Sequence, residues 1–195
     1  MVEFEVVNGE LRTKKNLTQL DVFVIDTLTI LSRFVDYVLI SGYVSIFFGR
    51  ARGTEDVDVF IDEISEEKFK EFYNAALEKG YEFNIDNAEE LYKDYLQDNL
   101  SVNMWGKNLP LVRLEIKIAK KYSQKRVLNE RVKVFYNGGF LYFSPIEYQI
   151  AYKKSILKSE KDLEDARHLE VVFKNLDKEK IEEYVGVVLK EFEDE

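Results

Sequence analysis

The 195-residue chain has no cysteine and a single histidine, His168. Disulfides, thiolate metal sites and histidine-cluster zinc sites are therefore excluded, and any metal must be held by oxygen. Prolines number two and tryptophans one. No apolar run reaches the roughly 18 residues that a membrane-spanning helix needs. The N-terminal M-V-E-F-E-V-V is acidic and alternating, unlike a secretory leader. These absences point to a globular, cytoplasmic protein with no membrane partner. Positive charge is scarce too: 28 Lys and Arg stand against 37 Asp and Glu, for a net charge of −9. That balance argues against broad nucleic-acid binding. One strip departs from it. Between Lys117 and Lys133, seven basic residues (Lys117, Lys120, Lys121, Lys125, Arg126, Arg131 and Lys133) face Glu130 alone. Such a strip suits a triphosphate or an RNA end, or equally a solvated helix face.

The remainder is ordinary for a globular domain, at 46% hydrophobic and 33% charged residues. The length fits one structural unit with a sizeable core. Apolar residues at helical spacing from Thr18 to Phe34 predict a core helix leading into a strand near Tyr37. Ser65 opens a helix that Gly80 ends. Short strands are expected over 2–7, with a turn at Asn8-Gly9, over 81–85 and over 100–105, and a short helix over 87–96. Tyr92, Tyr95 and Trp105 are core or rim aromatics, or surfaces on which a base could stack. Val132 to Phe143 reads as a hairpin turning at Asn137-Gly138-Gly139. Ser144 then caps a helix with Pro145 in its first turn. A terminal helix runs from Asp177, its acidic end, Glu191 to Glu195, expected to fray.

The chemistry concentrates between Val38 and Asp62. A buried strand ends at Ile40, Ser41-Gly42 turns the chain into a short helix, and a loop carrying Arg50 and Arg52 leads to Asp56-Val57-Asp58-Val59-Phe60-Ile61. Residues two apart on a strand share a face, so Asp56 and Asp58 point one way. Two carboxylates side by side repel, and a hard divalent cation between them relieves the repulsion. Free backbone N–H groups at the Ser41-Gly42 turn could cradle a phosphate. Leu111 to Ile118 alternates cleanly, placing Arg113, Glu115 and Lys117 on one strand face.

These residues carry a resemblance. Ser41-Gly42, the Gly49-Arg50-x-Arg52 loop and Asp56-Val57-Asp58 resemble the signature of the DNA polymerase beta-type nucleotidyltransferase superfamily, closest to its AbiEii-like branch of abortive-infection and toxin–antitoxin systems. Ser41 stands where that signature has its first glycine. Glu115 matches the third acidic residue, more often Asp, on a neighbouring strand; otherwise it pairs with Arg113 or Lys117. Ser144 to Leu169 resembles a second block of the same group, in which Lys153 or Lys154 matches one lysine and Lys161, Asp162 and Asp165 match a K-D-L-x-D segment. Lys161 and Asp165 could equally form an i,i+4 pair, with Asp162 a local cap. His168 reads as a packing or surface residue.

The resemblance implies an α/β (α+β) fold: a nucleotidyltransferase-type mixed sheet flanked by helices over residues 1–143, with a helical section over 144–195 packed on it as one unit. It implies an NTP substrate such as ATP, and Mg²⁺ or Mn²⁺ held by Asp56, Asp58 and Glu115. It implies phosphate contacts from Ser41, Gly42, Arg50, Arg52, Lys154 and Lys161. The implied activity moves an NMP to a hydroxyl acceptor (RNA, protein or small molecule) and releases pyrophosphate. The alternative is a catalytically inactive nucleotide- or protein-binding member of the same fold, with a toxin or other protein as partner.

Overall fold

The computed structural model describes residues 4–7, 10–106 and 109–193. The expected Asn8-Gly9 turn and the first residues of the N-terminal strand lie outside them. The strands in chain order are β1 (Phe4–Val7), β2 (Glu10–Thr13), β3 (Tyr37–Leu39), β4 (Asp56–Ile61), β5 (Tyr81–Phe83), β6 (Val102–Gly106), β7 (Leu109–Ile118), β8 (Val132–Tyr136) and β9 (Gly139–Phe143). Among the described residues they form one mixed sheet, ordered β1-β2-β8-β9-β3-β4-β7-β6-β5. β4 lies inside the sheet, antiparallel to β3 and parallel to β7.

The helices are α1 (Gln19–Leu31), α2 (Ser41–Phe47), α3 (Glu66–Glu78), α4 (Ala88–Glu90), α5 (Tyr122–Asn129), α6 (Ile146–Tyr152), α7 (Glu160–Val172) and α8 (Lys178–Glu193). π-Helical turns extend α4 over Leu91–Leu96 and α6 over Lys153–Leu157. Local chemistry sets several of these ends. The Thr18 hydroxyl accepts from Asp21 N–H, and the Asp21 carboxylate accepts from Thr18 N–H, a reciprocal box that starts α1. Ser65 accepts from Lys68 N–H and starts α3. Gly80, at φ +83°, takes the left-handed conformation that follows α3.

Two apolar layers sandwich the sheet. On one face Val57, Val59, Leu114 and Ile116 join Leu28 of α1 and Phe69 and Phe72 of α3 in the main core. On the other, Val38 and Phe60 pack with Val127, Tyr148, Tyr184 and Val188 from α5, α6 and α8. Each large side chain so buried contributes about 1.5–3 kcal/mol. Phe60 shares its strand face with Asp56 and Asp58. The carboxylate face of β4 therefore looks toward α5, α6 and α8.

Three details differ from the sequence expectations. Ser144 does not cap α6: it is fully buried and its hydroxyl accepts from Gln149 Nε2 at 2.7 Å, leaving Pro145 at the cap position. β2 forms where no element was expected, and the basic strip is in part a helix face, α5 carrying Lys125 and Arg126. Glu191 is anchored rather than frayed, accepting from Ser123 N–H of α5 at 2.7 Å. Residues 194–195 lie outside the described residues.

Candidate active site

β4 and β7 run in parallel register, with Asp56 beside Arg113, Asp58 beside Glu115 and Phe60 beside Lys117. The alternation seen in the sequence therefore becomes a shared polar face on two adjacent strands. Ile40 N–H donates to Asp58 C=O at 3.1 Å, which brings the end of β3, and Ser41 after it, against this face. Ser41 takes the left-handed conformation, at φ +61°. A non-glycine residue there is strained, and such strain gathers at ligand sites.

Burial pushes the Asp58 carboxyl above the usual carboxylate range. The Ser41 side chain, hydrogen-bonded to it, and the Lys117 charge pull it down, while neighbouring Asp56 pushes it further up. Glu115 is likewise raised, chiefly by burial and then by Asp58 and Asp56. Arg113 Nε lies 2.5 Å from Asp56 Oδ1 and 3.4 Å from Glu115 Oε1. Close as it is, Arg113 makes no well-aligned hydrogen bond to Asp56 Oδ1, which is buried without one. Lys117 Nζ stands 3.9 Å from Glu115.

Asp56, Asp58 and Glu115 fit a hard divalent cation by donor type, since all supply oxygen, and the raised carboxyls and the orphaned Asp56 oxygen are what a cation would relieve. Their side chains do not converge as they stand: among the described residues, no group of three or more Asp, Glu, His or Cys is gathered closely enough to hold a metal ion.

The other expected phosphate contacts are placed differently. Arg52 lays its guanidinium over Gly42; a Cβ on Gly42 would sit 2.3 Å from Arg52 Nη2. Glycine is needed here for that close approach. Arg52 is held by Asp165, with Nε to Oδ1 at 3.0 Å and Nη2 to Oδ2 at 2.8 Å. Arg50 reaches Asp165 at 3.3 Å and also pairs with Glu164. The lysine turned inward is Lys153, not Lys154. Lys153 Nζ bonds Asp165 at 3.1 Å and Asp162 at 3.3 Å, and its charge reaches Asp58. Lys154 points away and pairs with Glu170 at 2.6 Å. Lys161 is exposed on α7, and Asp165 pairs with Arg52 and Lys153 in place of Lys161. Asp162 does act locally, accepting from the Ser159 hydroxyl that caps α7. His168 packs, with Nε2 3.1 Å from Phe48 C=O.

A cleft of roughly 300 Å³ opens between this polar face and the helices behind it. Ser41, Asp58, Glu115 and Lys117 line one side; Tyr152, Ile156, Leu157 and Phe192 line the other. Of the basic strip, Lys117 and Lys121 border the cleft, whereas Lys125, Arg126 and Arg131 pair with Glu63, Glu183 and Asp36. Tyr92 donates to Ile64 C=O and Trp105 to Glu82, both outside the cleft.

No protein-family model and no curated protein matches the chain. Solved structures do. The lincosamide antibiotic adenylyltransferase LnuA, solved with lincomycin bound, superposes with a TM-score of 0.53 at 16% identity, covering 82% of this chain and all of that one. The fold is that of the nucleotidyltransferases. An antigenic nucleotidyltransferase-like protein from Paracoccidioides brasiliensis gives a TM-score of 0.52 at 15% identity over 89% of this chain and 88% of that one. The antibiotic-resistance factor ANT(2'')-Ia gives 0.52 at 12% identity over 88% and 91%. Among the described residues of this nucleotidyltransferase fold, no helix is long and apolar enough to cross a membrane.

Proposed function

We propose that this protein is a nucleotidyltransferase that moves an NMP from an NTP to a hydroxyl acceptor. The observation that carries the reading is Asp58: a half-buried carboxylate in register with Glu115 and beside Ser41, at the floor of a cleft, its pKa raised by desolvation. The acceptor oxygen forms a bond to the α-phosphorus, the bond from that phosphorus to the β-bridging oxygen breaks, and pyrophosphate leaves. Mg²⁺ or Mn²⁺, held by Asp56, Asp58 and Glu115, would supply charge neutralisation of the phosphates and a lowered pKa for the acceptor hydroxyl. Glu115, with its raised pKa, suits the general base that takes the hydroxyl proton. Ser41 and Gly42 meet the β- and γ-phosphates through N–H and hydroxyl groups. Arg52, laid over Gly42 and held by Asp165, would offset charge on the leaving pyrophosphate, while buried Lys153 acts on the site only through its charge.

Calorimetric titration of MgATP into wild-type and Asp58→Asn protein tests this. Binding that needs both the metal and Asp58 is expected, together with transfer of label from α-labelled ATP to RNA, protein or small hydroxylated acceptors. A folded Asp58→Asn protein that binds MgATP at full strength refutes the assignment.

A second reading, a nucleotide- or protein-binding member without turnover, is favoured by Arg113. Its guanidinium already neutralises Asp56 at 2.5 Å, where a cation would sit. Tight MgATP binding by an Arg113→Ala variant, with no transfer to any acceptor, favours this reading.

A further inference from the structure

The basic strip of the sequence ends at Arg131 and Lys133, and neither borders the cleft. Both land where the sheet is open to solvent. The layer of α5, α6 and α8 packs on β3 and β4. Past β3 the same sheet face continues over β9, β8 and β2, where Tyr142 is in register with Lys133, Phe140 with Phe135, and Phe135 with Arg12. Phe135 and Phe140 belong to neither apolar layer. Phe140 is 42% exposed and Phe135 half-buried. The open face of an antiparallel sheet ordinarily alternates to polar side chains. Here it carries a row of rings, with centroids 5.8 Å apart from Phe135 to Phe140 and 5.4 Å from Phe140 to Tyr142.

Cations interleave with the rings. Lys133 Nζ lies 4.4 Å from the Phe140 centroid, 5.5 Å from that of Tyr142 and 5.9 Å from that of Phe135, and it forms no ion pair among the described residues. Arg131 lies over Tyr142 and Arg12 over Phe135, both at 4.6 Å. Their acids, Asp36 at 3.0 Å and Glu10 at 2.6 Å, are 64% and 45% exposed, and exposed pairs are weak enough to open for a phosphate. Rings that accept stacked bases, edged by cations that meet the backbone, make a platform for a single strand of nucleic acid. A duplex hides the base faces that such a row takes. Two carboxylates share this face, Glu5 in register with Arg12 and Glu10 bonded by it. They offer acceptors to a ribose 2′-hydroxyl, the group that marks RNA. At a net charge of −9 the rest of the surface repels a polyanion, which confines binding to this face.

We propose that the open face of β2, β8 and β9 docks single-stranded RNA, with bases on Phe135, Phe140 and Tyr142 and phosphates at Arg12, Arg131 and Lys133. This docking is independent of nucleotide transfer and is measured without NTP or metal.

The test is fluorescence anisotropy in low salt with EDTA. The probes are a fluorescein-labelled single-stranded RNA of mixed sequence, the DNA of the same sequence and the RNA duplex. Wild type should bind the single-stranded RNA most tightly. Phe140→Ala should bind it about tenfold more weakly, the scale of one lost stacked base. Lys133→Gln should weaken binding and reduce the slope of log affinity against log salt by about 0.7. Lys125→Ala removes a basic-strip charge elsewhere and should bind as wild type does. All three side chains are exposed, so each variant should melt close to wild type. No RNA binding by wild type at about 100 µM protein overturns the platform. Unchanged binding by Phe140→Ala, or equal losses in Lys125→Ala and Lys133→Gln, overturns it too. Equal affinity for the DNA overturns the assignment to RNA. Self-association in sedimentation that Phe140→Ala abolishes, without RNA binding, overturns it in favour of a second copy of this chain.

Discussion

Replacing Asp165 with asparagine should cost this protein more stability than changing any of the carboxylates around the cleft. Asp165 is fully buried and takes bonds from Arg52 at 3.0 and 2.8 Å, Lys153 at 3.1 Å and Arg50 at 3.3 Å. Lys153 is itself 1% exposed, with Asp162 at 3.3 Å as its other carboxylate. Asparagine keeps the shape but removes the charge, so a buried ammonium and a guanidinium pinned over Gly42 lose their main counter-ion. Breaking a buried pair in this way costs about 3–5 kcal/mol. For a chain of this size each kcal/mol moves Tm by about 2–4 °C, so the melt should fall by roughly 10 °C at pH 7. The pH dependence has a definite sign. Burial works to raise the Asp165 pKa, but the bonds from Arg52 and Lys153 outweigh it and hold the pKa below the ordinary 3.8. A lowered carboxylate pKa contributes stability that is present above 3.8 and lost as pH falls through the folded value. Wild type should thus lose its advantage over Asp165→Asn only in strong acid. Differential scanning calorimetry from pH 7 to 3 measures both effects. A variant melting within about 2 °C of wild type at pH 7 would show that the cluster contributes nothing net, as well-paired buried charges sometimes do.

Asp58→Asn should raise Tm at neutral pH: the Asp58 pKa is raised, so its charged form is disfavoured in the fold and stability falls as pH climbs past the ordinary carboxylate value. A lowered Tm would contradict that. Gly42→Ala pushes its new methyl into the Arg52 guanidinium and should cost about 1–2 kcal/mol in urea denaturation, whereas Gly53→Ala, with no atom within 4 Å, should be close to neutral. Equal losses at the two glycines would rule out the Arg52 contact. Tyr43→Phe removes one bond to buried Asp21, which keeps Lys15 at 2.8 Å, and should cost about 1 kcal/mol by the same assay.

Much of this architecture is local and therefore legible in the chain. The alternation of Asp56 to Ile61 and of Arg113 to Ile118 states which side chains share a face, and the structure sets those faces side by side. The Thr18 and Ser65 helix starts can be read from a few neighbouring residues. The arginines could not be placed in the same way. Their partner Asp165 is 113 positions from Arg52, and nothing near Arg52 announces it. The resemblance matches Lys153 or Lys154 equally, and the contacts that separate them, Asp165 for Lys153 and Glu170 for Lys154, lie 12 and 16 positions further on. Ser41 was the least legible, because a left-handed position favours glycine and this chain has serine there, beside Asp58. α5 carries a basic surface over a short apolar stripe, and its partners are acids on α8.

The Arg52–Asp165 tie also sets an order of events when the chain is made. Synthesis delivers about 5–20 residues per second, so Arg52 leaves the ribosome on the order of ten seconds before the carboxylate that will hold it. Until then the loop after α2 has no anchor, and the turn at Ser41 has neither its arginine roof nor, for most of that time, the β7 strand that brings Glu115 beside Asp58. A nascent chain therefore carries residues 38–62 in full while Arg52 and Asp58 still lack the partners that later strands and helices bring.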